Sequence, residues 1–322
     1  MSKRYGYLEK MLLTVNQVMP NKGRFGQIFI TTKCNLCCDY CQVTKRTTKD
    51  VSLDCWEEIL ERLAKWGVTI VSITGGEPLI RKDLEDIIVK MRKLRMISRL
   101  NTNGTLLTPA RIDSLAKAGL CSLSLSLDSL GDGKKVKSDS ERVFSLLSAV
   151  KQKGIVAEVR CTLKLSDPME APKLAEETIK RGFFFGMSLP QSVGGLFSRP
   201  ARTSPVIGGM AQNGRGIWLP REVFQNEAGM GGWKCNPAID AWVTVNNDGT
   251  LMPCQEYGSN IKVLEISTLK DASWRKCKSA AIAQCPGCLY SCYYDQEFRF
   301  SNFFTYLRQE FATLKETGRA LF

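Results

Sequence analysis

The fold is decided by one short stretch, Thr32-Lys33-Cys34-Asn35-Leu36-Cys37-Cys38-Asp39-Tyr40-Cys41, which follows a predicted strand and holds four of the thirteen cysteines. We call residues 32–41 the cysteine loop. Thiolates this close in sequence can reach one metal centre, and soft sulfur ligands select iron-sulfur clusters, zinc or copper(I). Cys34-x3-Cys38-x2-Cys41 supplies three ligands, whereas a closed structural zinc site takes four. Three ligands leave one corner of a cubane cluster open, which predicts a metal site that binds a further molecule.

Two motifs together resemble the signature of the radical S-adenosylmethionine (SAM) enzymes. The first is the cysteine triad with an aromatic residue, Tyr40, before its last member, and the second is Thr74-Gly75-Gly76-Glu77-Pro78. From the residues alone, Cys37 and Cys41 form a second candidate pair. The resemblance implies instead a [4Fe-4S] cluster, open to SAM at one iron, on the triad Cys34, Cys38 and Cys41.

Composition excludes several classes of protein. The chain has 322 residues, of which 43% are hydrophobic and 24% charged, so it can bury a sizeable core. It shows neither a spanning helix nor a signal peptide, and we expect a cytoplasmic protein. In that reducing compartment the thirteen cysteines, an odd number, are expected to be metal ligands and buried thiols rather than disulfides. The absence of histidine excludes histidine bases and histidine metal ligands.

The formal net charge of +13 predicts a basic surface. Lys and Arg are spread along predicted helices instead of gathered in one stripe, so we expect no nucleic acid partner. A basic surface suits the docking of an acidic electron donor such as a flavodoxin or ferredoxin. Peripheral membrane contact is the weaker alternative, because the amphipathic helix predicted within residues 1–25 has no strongly basic face.

One unit, a strand followed by an amphipathic helix, recurs across residues 26–190. Apolar residues at helical spacing predict five helices, at Leu53–Trp66, Leu84–Leu94, Pro109–Ala118, Glu141–Lys153 and Ala171–Arg181. The apolar runs around them predict six strands, at Gln27–Thr31, Val68–Ile73, Met96–Asn101, Leu120–Leu127, Ile155–Leu163 and Phe183–Leu189. This alternation predicts an α/β fold with a parallel sheet, either open and doubly wound or a partial barrel. The resemblance selects a partial (β/α)6 barrel.

Unusual residues fall directly after successive strands, where α/β enzymes place their chemistry. Polar residues alternate along the fourth strand, which predicts a polar face toward the barrel interior, although a solvated edge strand would show the same pattern. The resemblance implies that the paired glycines hold the methionine end of SAM, with Glu77 on its amino group and Ser126 and Asp128 on its ribose. Arg160 is predicted to contact the SAM carboxylate, with a surface position at the strand end as its alternative. Asn103 is predicted to contact SAM or the substrate, and a plain Asn-Gly turn is the alternative. The predicted cofactor-binding residues are Tyr40, Gly75, Gly76, Glu77, Asn103, Ser126, Asp128 and Arg160.

A second group of cysteines lies near the carboxyl end. Residues 191–232 are rich in Gly and Pro and lose periodicity, which predicts a substrate-facing loop. A β-rich run with an Asn-Asp-Gly turn then predicts a hairpin whose ends bring Cys235 and Cys254 together. Residues 233–297 resemble a SPASM or twitch auxiliary-cluster domain, a small β-hairpin/α unit, with a four-thiolate zinc ribbon as the alternative. Residues 298–322 predict a closing helix. The candidate ligands of the auxiliary [4Fe-4S] cluster are Cys235, Cys254, Cys285, Cys288 and Cys292.

The resemblance implies a radical SAM enzyme, an oxidoreductase or modifying enzyme in biosynthesis. It implies reductive cleavage of SAM to a 5′-deoxyadenosyl radical, which abstracts hydrogen from an unactivated carbon. We expect a small or apolar metabolite of the lipid, isoprenoid or tetrapyrrole type as the substrate, because the loop at 191–232 and the end of the chain carry apolar and aromatic residues. No catalytic acid, base or radical-quenching residue can be assigned from the sequence.

Other functions stay open from the sequence. A radical SAM maturase of peptides or proteins is one alternative, although the segment before the first strand is short for a leader-binding domain. A noncatalytic iron-sulfur electron carrier is another, although such a carrier would need no SAM pocket. A molybdopterin-pathway enzyme is not expected, because Arg319-Ala320-Leu321-Phe322 stands where the resemblance to that group implies Gly-Gly.

Overall fold

The computed structural model describes residues 24–131, 139–162, 170–188, 217–218 and 234–285. One sheet with the strand order β7-β6-β5-β4-β3-β2-β1-β8-β9 runs through these residues. Its nine strands are β1 (Arg24–Phe29), β2 (Val68–Thr74), β3 (Ile97–Thr102), β4 (Ser122–Ser126), β5 (Val156–Thr162), β6 (Phe184–Ser188), β7 (Ile217–Trp218), β8 (Trp242–Val245) and β9 (Leu251–Met252).

Strands β1 to β7 pair in parallel, each with the next in sequence, and β8 pairs in parallel with the free side of β1. Only the β8–β9 pair in the described residues is antiparallel. Parallel neighbours need a crossover connection, and helices supply it from β1 to β6. Because β7 and β9 remain as edges, the sheet is open, and the predicted partial barrel is confirmed.

The helices that cross between the strands are α1 (Leu53–Lys65), α2 (Leu84–Lys93), α3 (Pro109–Ala118), α4 (Ser140–Gln152) and α5 (Glu170–Lys180); α6 (Ala272–Gln284) follows the hairpin. Each of the first five lies within one residue of its predicted bounds. In α1 the Ser52 hydroxyl accepts a hydrogen bond from the Cys55 N–H and caps the first turn. The chain leaves this helix at Gly67, whose φ of +80° favours glycine.

The two faces of the sheet differ in polarity. On the helix-covered face, apolar side chains from five strands are fully buried, namely Ile28, Val71, Leu100, Leu123 and Val159. Residues next to these in sequence point to the other side, which we call the inner face, and include Gln27, Ser72, Arg99, Ser124, Glu158 and Arg160. Because β4 lies in the middle of the sheet, its polar alternation is that of an inner face, and the edge-strand alternative is wrong.

The first strand and the hairpin differ from prediction. β1 runs from Arg24 to Phe29 rather than from Gln27 to Thr31, and β8 joins it at the edge opposite β2. The rings of Phe25 and Trp242 stack with centroids 4.3 Å apart across this pair. Aromatic burial therefore binds the predicted hairpin to the barrel sheet, so that the two parts share one sheet.

Some predicted segments lie wholly or largely outside the described residues. They are the N-terminal helix in 1–25, most of the loop at 191–232 and the closing helix at 298–322, which all stay predictions. Within the loop, Ile217–Trp218 forms β7 and pairs with β6. None of the helices in the described ranges has the length and apolar character needed to cross a membrane.

The turn of the β8–β9 hairpin is tied to the segment that leads into α1. Asn247, which is fully buried, donates from Nδ2 to the Thr48 carbonyl (3.0 Å) and to Asp50 Oδ1 (2.8 Å). Its own backbone carbonyl accepts from Val51 N at 2.9 Å. Asp50 also accepts from the Thr31 hydroxyl at 2.7 Å. Since Thr31 lies just before the cysteine loop, this network joins the hairpin to the start of that loop.

We expect Asn247→Ala to lower the free energy of unfolding by about 1–3 kcal/mol, because the Thr48 carbonyl and the Asp50 carboxylate lose a buried amide donor. Denaturant unfolding followed by circular dichroism measures the change. Asn260→Ala, at an exposed position, is the matched control and should change stability by less than about 0.5 kcal/mol. Equal stability of Asn247→Ala and wild type would show that the network does not hold the hairpin.

Candidate functional site

The cysteine loop leaves the carboxyl end of β1. Cys34, Cys38 and Cys41 are half-buried, whereas Cys37 is exposed. The Cys41 N–H donates to the Cys38 carbonyl at 3.1 Å and closes a turn between them. Burial raises the pKa of the Cys34 thiol, and Glu77 and the other two triad cysteines add to the rise. The triad cysteines therefore lie close enough to influence one another.

Gly75 and Gly76 hold the end of β2 against the cysteine loop. The Gly76 N–H donates to the Thr31 carbonyl and the Glu77 N–H to the Lys33 carbonyl, both at 2.8 Å, so backbone pairing continues past the two strands. A Cβ on Gly75 would overlap the Thr31 carbonyl oxygen, and one on Gly76 would overlap that of Lys33. The glycines thus permit contact between two backbones. Their predicted contact with SAM stays a prediction.

Glu77 has only 1% of its surface exposed. Its Oε1 accepts hydrogen bonds from Thr102 Oγ1 (2.6 Å) and Leu79 N (3.0 Å), and its Oε2 accepts from Asn103 N (2.8 Å). A carboxylate offers about four lone-pair positions, and the chain itself fills at least three of them. The Glu77 carboxylate therefore joins the end of β2 to the end of β3. Its predicted contact with the SAM amino group stays a prediction.

The Asn103 side chain holds the first part of the cysteine loop. Its Nδ2 donates to Asn35 Oδ1 at 3.0 Å, and its Oδ1 accepts from the Thr105 hydroxyl at 2.6 Å. Asn35 Nδ2 completes the group by donating to Thr105 Oγ1 at 2.7 Å. Gly104 has a φ of +73°, so the predicted Asn-Gly turn is also present. Asn103 therefore has two roles: it begins a turn, and it anchors the cysteine loop.

Tyr40 anchors the end of the cysteine loop. Its hydroxyl donates to Asp128 Oδ2 at 2.8 Å, and the Thr162 N–H donates to Asp128 Oδ1 at 2.9 Å. Burial raises the pKa of Tyr40, and the Asp128 charge raises it further, so the phenol stays protonated and remains a donor. Tyr40 and Asp128, both predicted to contact SAM, are therefore hydrogen-bonded to each other. This bond joins the end of the cysteine loop to the segment after β4.

Glu158 on β5 lies between two arginines of the inner face. Its Oε2 accepts a hydrogen bond from Arg99 Nη2 at 2.9 Å, and its Oε1 lies 2.5 Å from Arg160 Nη2. Burial alone would raise the pKa of Glu158, but Arg160, Arg99 and the Ser124 hydroxyl hold it below its usual value, so the carboxylate is ionised. Ser126, a predicted ribose contact, is the partner of Arg160 in the β4–β5 register.

Three of the five predicted auxiliary ligands are described. Burial raises the pKa of the Cys254 thiol to about 12, and Cys235 adds to the rise. Burial also raises the pKa of Tyr257, followed by the charges of Cys285 and Cys254. Cys254 thus responds to the charge of Cys235, and Tyr257 to the charges of Cys285 and Cys254, although these three cysteines are far apart in sequence. The other two predicted ligands lie outside the described residues, so the full ligand set stays a prediction.

Asp240 fixes α6 relative to these cysteines. The carboxylate is 5% exposed and accepts from Arg275 Nη2 (2.6 Å) and Lys278 Nζ (2.9 Å), both on α6. Cys285 directly follows this helix, and Asp240 itself lies five residues after Cys235. The buried ion pairs therefore hold the segment with Cys235 against the helix that leads to Cys285.

The donor chemistry of the triad fits an iron-sulfur cluster. Three half-buried thiols share one loop, and the Leu36 N–H lies 3.4 Å from Cys34 Sγ, a hydrogen bond of the kind that tunes a ligating sulfur. Within the described ranges, no three Cys, Asp or Glu side chains converge as they would on a single metal ion. In a cubane cluster each thiolate binds a different iron, so its ligands need not converge on one point.

A comparison with protein families finds a match for part of the chain. Residues 28–171 match the radical SAM superfamily. The match begins in β1, ends in α5 and includes the cysteine loop, the Gly75–Glu77 motif and Glu158. These residues make up less than half of the chain, and over them the chain resembles a radical SAM domain. The resemblance noted in the sequence is thereby confirmed.

Two relatives share parts of the radical SAM domain. The PqqA peptide cyclase of Bradyrhizobium diazoefficiens is 34% identical over 132 residues, covering 40% of this chain and 33% of that protein. The probable GTP 3′,8-cyclase of Methanococcus vannielii is 39% identical over 146 residues, covering 39% of this chain and 48% of that protein. The similarity thus spans less than half of either relative.

The fold is also similar to that of a solved structure. Streptococcus suis SuiB, bound to its precursor peptide SuiA, aligns with a TM-score of 0.62 at 16% identity, over 86% of this chain and 73% of SuiB. At this identity the likeness shows the fold alone. It supports the assignment of the open sheet as a partial barrel.

No role was predicted for three residues that brace this region. Asn35 binds Asn103 and Thr102 binds Glu77, while Asp50 links Thr31 to the hairpin. Thr102 is the last residue of β3, so it lies at the same edge of the sheet as the motif after β2. We call this edge, formed by the carboxyl ends of the parallel strands, the rim. The position of Thr102 at the rim is a sequence signal that could have identified it. Asp50 has no local signal, because its partners are Thr31, just after β1, and Asn247, in the hairpin almost two hundred residues later.

We expect Glu77→Gln to lower the free energy of unfolding by about 1–3 kcal/mol and to reduce the iron bound after reconstitution, because an amide NH2 would face another donor. Denaturant unfolding and iron analysis measure the two effects. The control is Glu61→Gln, where the exposed carboxylate pairs with Lys90 on the outer helices. Wild-type stability and iron content in Glu77→Gln would contradict the role of this carboxylate as a brace.

We expect Tyr40→Phe to speed amide hydrogen exchange in residues 34–41 roughly fivefold in the metal-free protein, because loss of one hydrogen bond of about 1 kcal/mol favours local opening by that factor. Exchange in β3 should not change. Tyr257→Phe is the control, since it removes a hydroxyl outside the cysteine loop. Unchanged exchange in the loop would mean that the bond to Asp128 does not anchor it.

Proposed function

We propose that this protein is a radical SAM enzyme in which Cys34, Cys38 and Cys41 hold a [4Fe-4S] cluster that binds SAM. The observation that carries the proposal is the attachment of the cysteine loop at three points to the carboxyl ends of β2, β3 and β4. When bound, the cluster and SAM supply a 5′-deoxyadenosyl radical that abstracts hydrogen from an unactivated carbon. The chain itself supplies binding, orientation and the exclusion of water.

Residues of the rim are proposed to bind SAM through the chemistry they carry. Arg160 offers a guanidinium for the SAM carboxylate, a pair that forms strong charge-assisted hydrogen bonds. Ser126 lies beside it in the strand register and, with Asp128, is proposed to contact the ribose hydroxyls. Glu77 and Asn103 are proposed to act mainly by holding the loop that carries the triad.

We propose a peptide, rather than an apolar metabolite, as the substrate. The inner face carries partly exposed polar groups at Asn101, Ser126 and Arg160, which a lipid or isoprenoid would cover without offering hydrogen bonds. The PqqA peptide cyclase acts, by its name, on a peptide, and SuiB was solved with a precursor peptide. Both the polarity of the face and these relatives support a peptide over the lipid, isoprenoid or tetrapyrrole type first expected.

A nucleotide is the second candidate substrate. The observation in its favour is the 39% identity to a probable GTP 3′,8-cyclase. The guanidinium of Arg160 on the inner face suits phosphate as well as carboxylate. The similarity covers 48% of that relative, so it supports a shared radical domain more directly than a shared substrate.

An auxiliary cluster and an electron donor complete the proposal. We propose that Cys235, Cys254 and Cys285, with a fourth cysteine from the segment that follows, hold an auxiliary [4Fe-4S] cluster; a zinc ribbon is the alternative. The net charge of +13 suits an acidic electron donor such as a flavodoxin or ferredoxin. A noncatalytic iron-sulfur carrier is the alternative to an enzyme, and SAM cleavage separates the two.

We expect the anaerobically reconstituted, dithionite-reduced protein to convert SAM to 5′-deoxyadenosine, measured by mass spectrometry. Cys34→Ala, Cys38→Ala and Cys41→Ala should each abolish the product, because each removes a cluster ligand. Cys37→Ala is the matched control and should retain it, since Cys37 is exposed and outside the triad. Absence of SAM binding and cleavage in wild type with a reduced triad cluster would favour the carrier.

The same assay tests the substrate class. A fully deuterated extract of the cells that make this protein is separated into peptide, nucleotide and lipid fractions, and each is added to the enzyme with SAM. We expect deuterium in 5′-deoxyadenosine with the peptide fraction only, because the transferred atom comes from the substrate carbon. Transfer from the nucleotide fraction would support the second candidate instead. Transfer from the lipid fraction would overturn both.

A further inference from the structure

The guanidinium of Arg160 is held by an ion pair, and its N–H groups remain available as hydrogen-bond donors. Its Nη2 lies 2.5 Å from Glu158 Oε1, yet this oxygen has no donor in hydrogen-bond geometry, and no hydrogen bond from the Arg160 guanidinium is found among the described residues. The Arg160 side chain is 30% exposed and that of Glu158 only 3%. A positioned cation that is partly exposed and has available N–H donors is suited to bind an anion.

Gly186 on β6 provides the space for this ion pair. Arg160 and Gly186 are partners in the β5–β6 register, and a Cβ on Gly186 would overlap Glu158 Oε1 and lie 2.8 Å from Arg160 Cζ. The Gly186 position therefore tolerates no side chain unless the ion pair moves. Because no positive φ is found at Gly186, the constraint comes from the neighbouring charges rather than from the backbone.

Arg99 neutralises Glu158 from the other side. Its Nη2 donates to Glu158 Oε2 at 2.9 Å, while Arg160 lies against Oε1. Two guanidinium groups around one carboxylate leave one positive charge in this group. If Glu158 faced Arg160 alone, the pair would be neutral and would attract an anion less. Arg99 thus preserves the charge of Arg160 for a ligand.

We propose that Glu158 is a positioning residue that holds Arg160 ready to bind the carboxylate of SAM, with Arg99 balancing its charge and Gly186 leaving it room. This inference rests on the proposed function, because it assigns the ligand of Arg160 to the same SAM site. The planar guanidinium can bind a carboxylate through two parallel hydrogen bonds, which requires a fixed orientation. Glu158 supplies that orientation without contacting SAM.

The test is a double-mutant cycle on SAM affinity. Equilibrium dialysis of radiolabelled SAM against the anaerobically reconstituted protein gives Kd for wild type, Glu158→Gln, Arg160→Gln and the double variant. We expect each single change to raise Kd roughly tenfold or more, as loss of a charge-assisted hydrogen bond implies. The double variant should bind no more weakly than Arg160→Gln, because Glu158 acts through Arg160.

A purely structural role predicts other results. If Glu158 only stabilised the fold, the two fold-changes in Kd would multiply in the double variant, which would overturn the proposal. If Arg160 attracted SAM by net charge alone, Glu158→Gln would tighten binding, which would overturn it as well. Glu61→Gln removes an exposed carboxylate paired with Lys90 and should leave Kd unchanged.

A second variant keeps the proposal testable if Glu158→Gln does not fold. Gly186→Ala changes no charge but places a methyl group on the ion pair, and it should raise Kd in the wild-type background but not in Arg160→Gln. An equal rise in both backgrounds, or none in either, would overturn the inference. Failure of the wild-type protein to bind SAM would refute the proposed function itself and is thereby distinguished from a failed cycle.

Discussion

Everything at this site depends on how the backbone of the cysteine loop is held against the end of β2. Ordering a free loop costs about 1–2 kcal/mol of backbone entropy per residue, so a loop that presents three thiols at fixed positions needs strong anchors. The Gly76 and Glu77 N–H groups provide them by pairing with the carbonyls of Thr31 and Lys33. This pairing is open only to glycine at positions 75 and 76, since a Cβ there would overlap those carbonyls.

The remaining anchors follow from the order of the strands. Parallel strands end at one edge, so the residues after β2, β3 and β4 meet the loop in turn. Glu77 joins the first two ends by accepting from Thr102 and Asn103, and Asn103 and Asp128 then hold Asn35 and Tyr40. The residues that hold the loop also border the space beside it. The same residues therefore support the triad and shape a ligand site.

The sequence predicted the parts of this architecture that depend on local periodicity. Helical spacing of Trp56, Ile59, Leu60 and Leu63 placed α1, and strict alternation along β4 placed its polar face, because both patterns repeat within a few residues. The pairing of β8 with β1 was not predicted, since stacking of Phe25 on Trp242 links distant segments. The residues of the rim were found by motif, but their partners were not: Glu77 bonds to Thr102 and Asn103, and Tyr40 to Asp128, through contacts that only the fold brings about.

The join between β1 and β8 also bears on how the two cysteine regions are arranged. One region follows β1 directly and the other flanks the hairpin, so the register Phe25↔Trp242 sets their separation through backbone hydrogen bonds. The buried chain from Thr31 through Asp50 to Asn247 fixes the same relation a second time. Two cysteine regions joined by a flexible linker would sample many separations, whereas regions on neighbouring strands keep one. If both regions hold clusters as proposed, electron transfer between them would need a constant separation, and the sheet itself would set it.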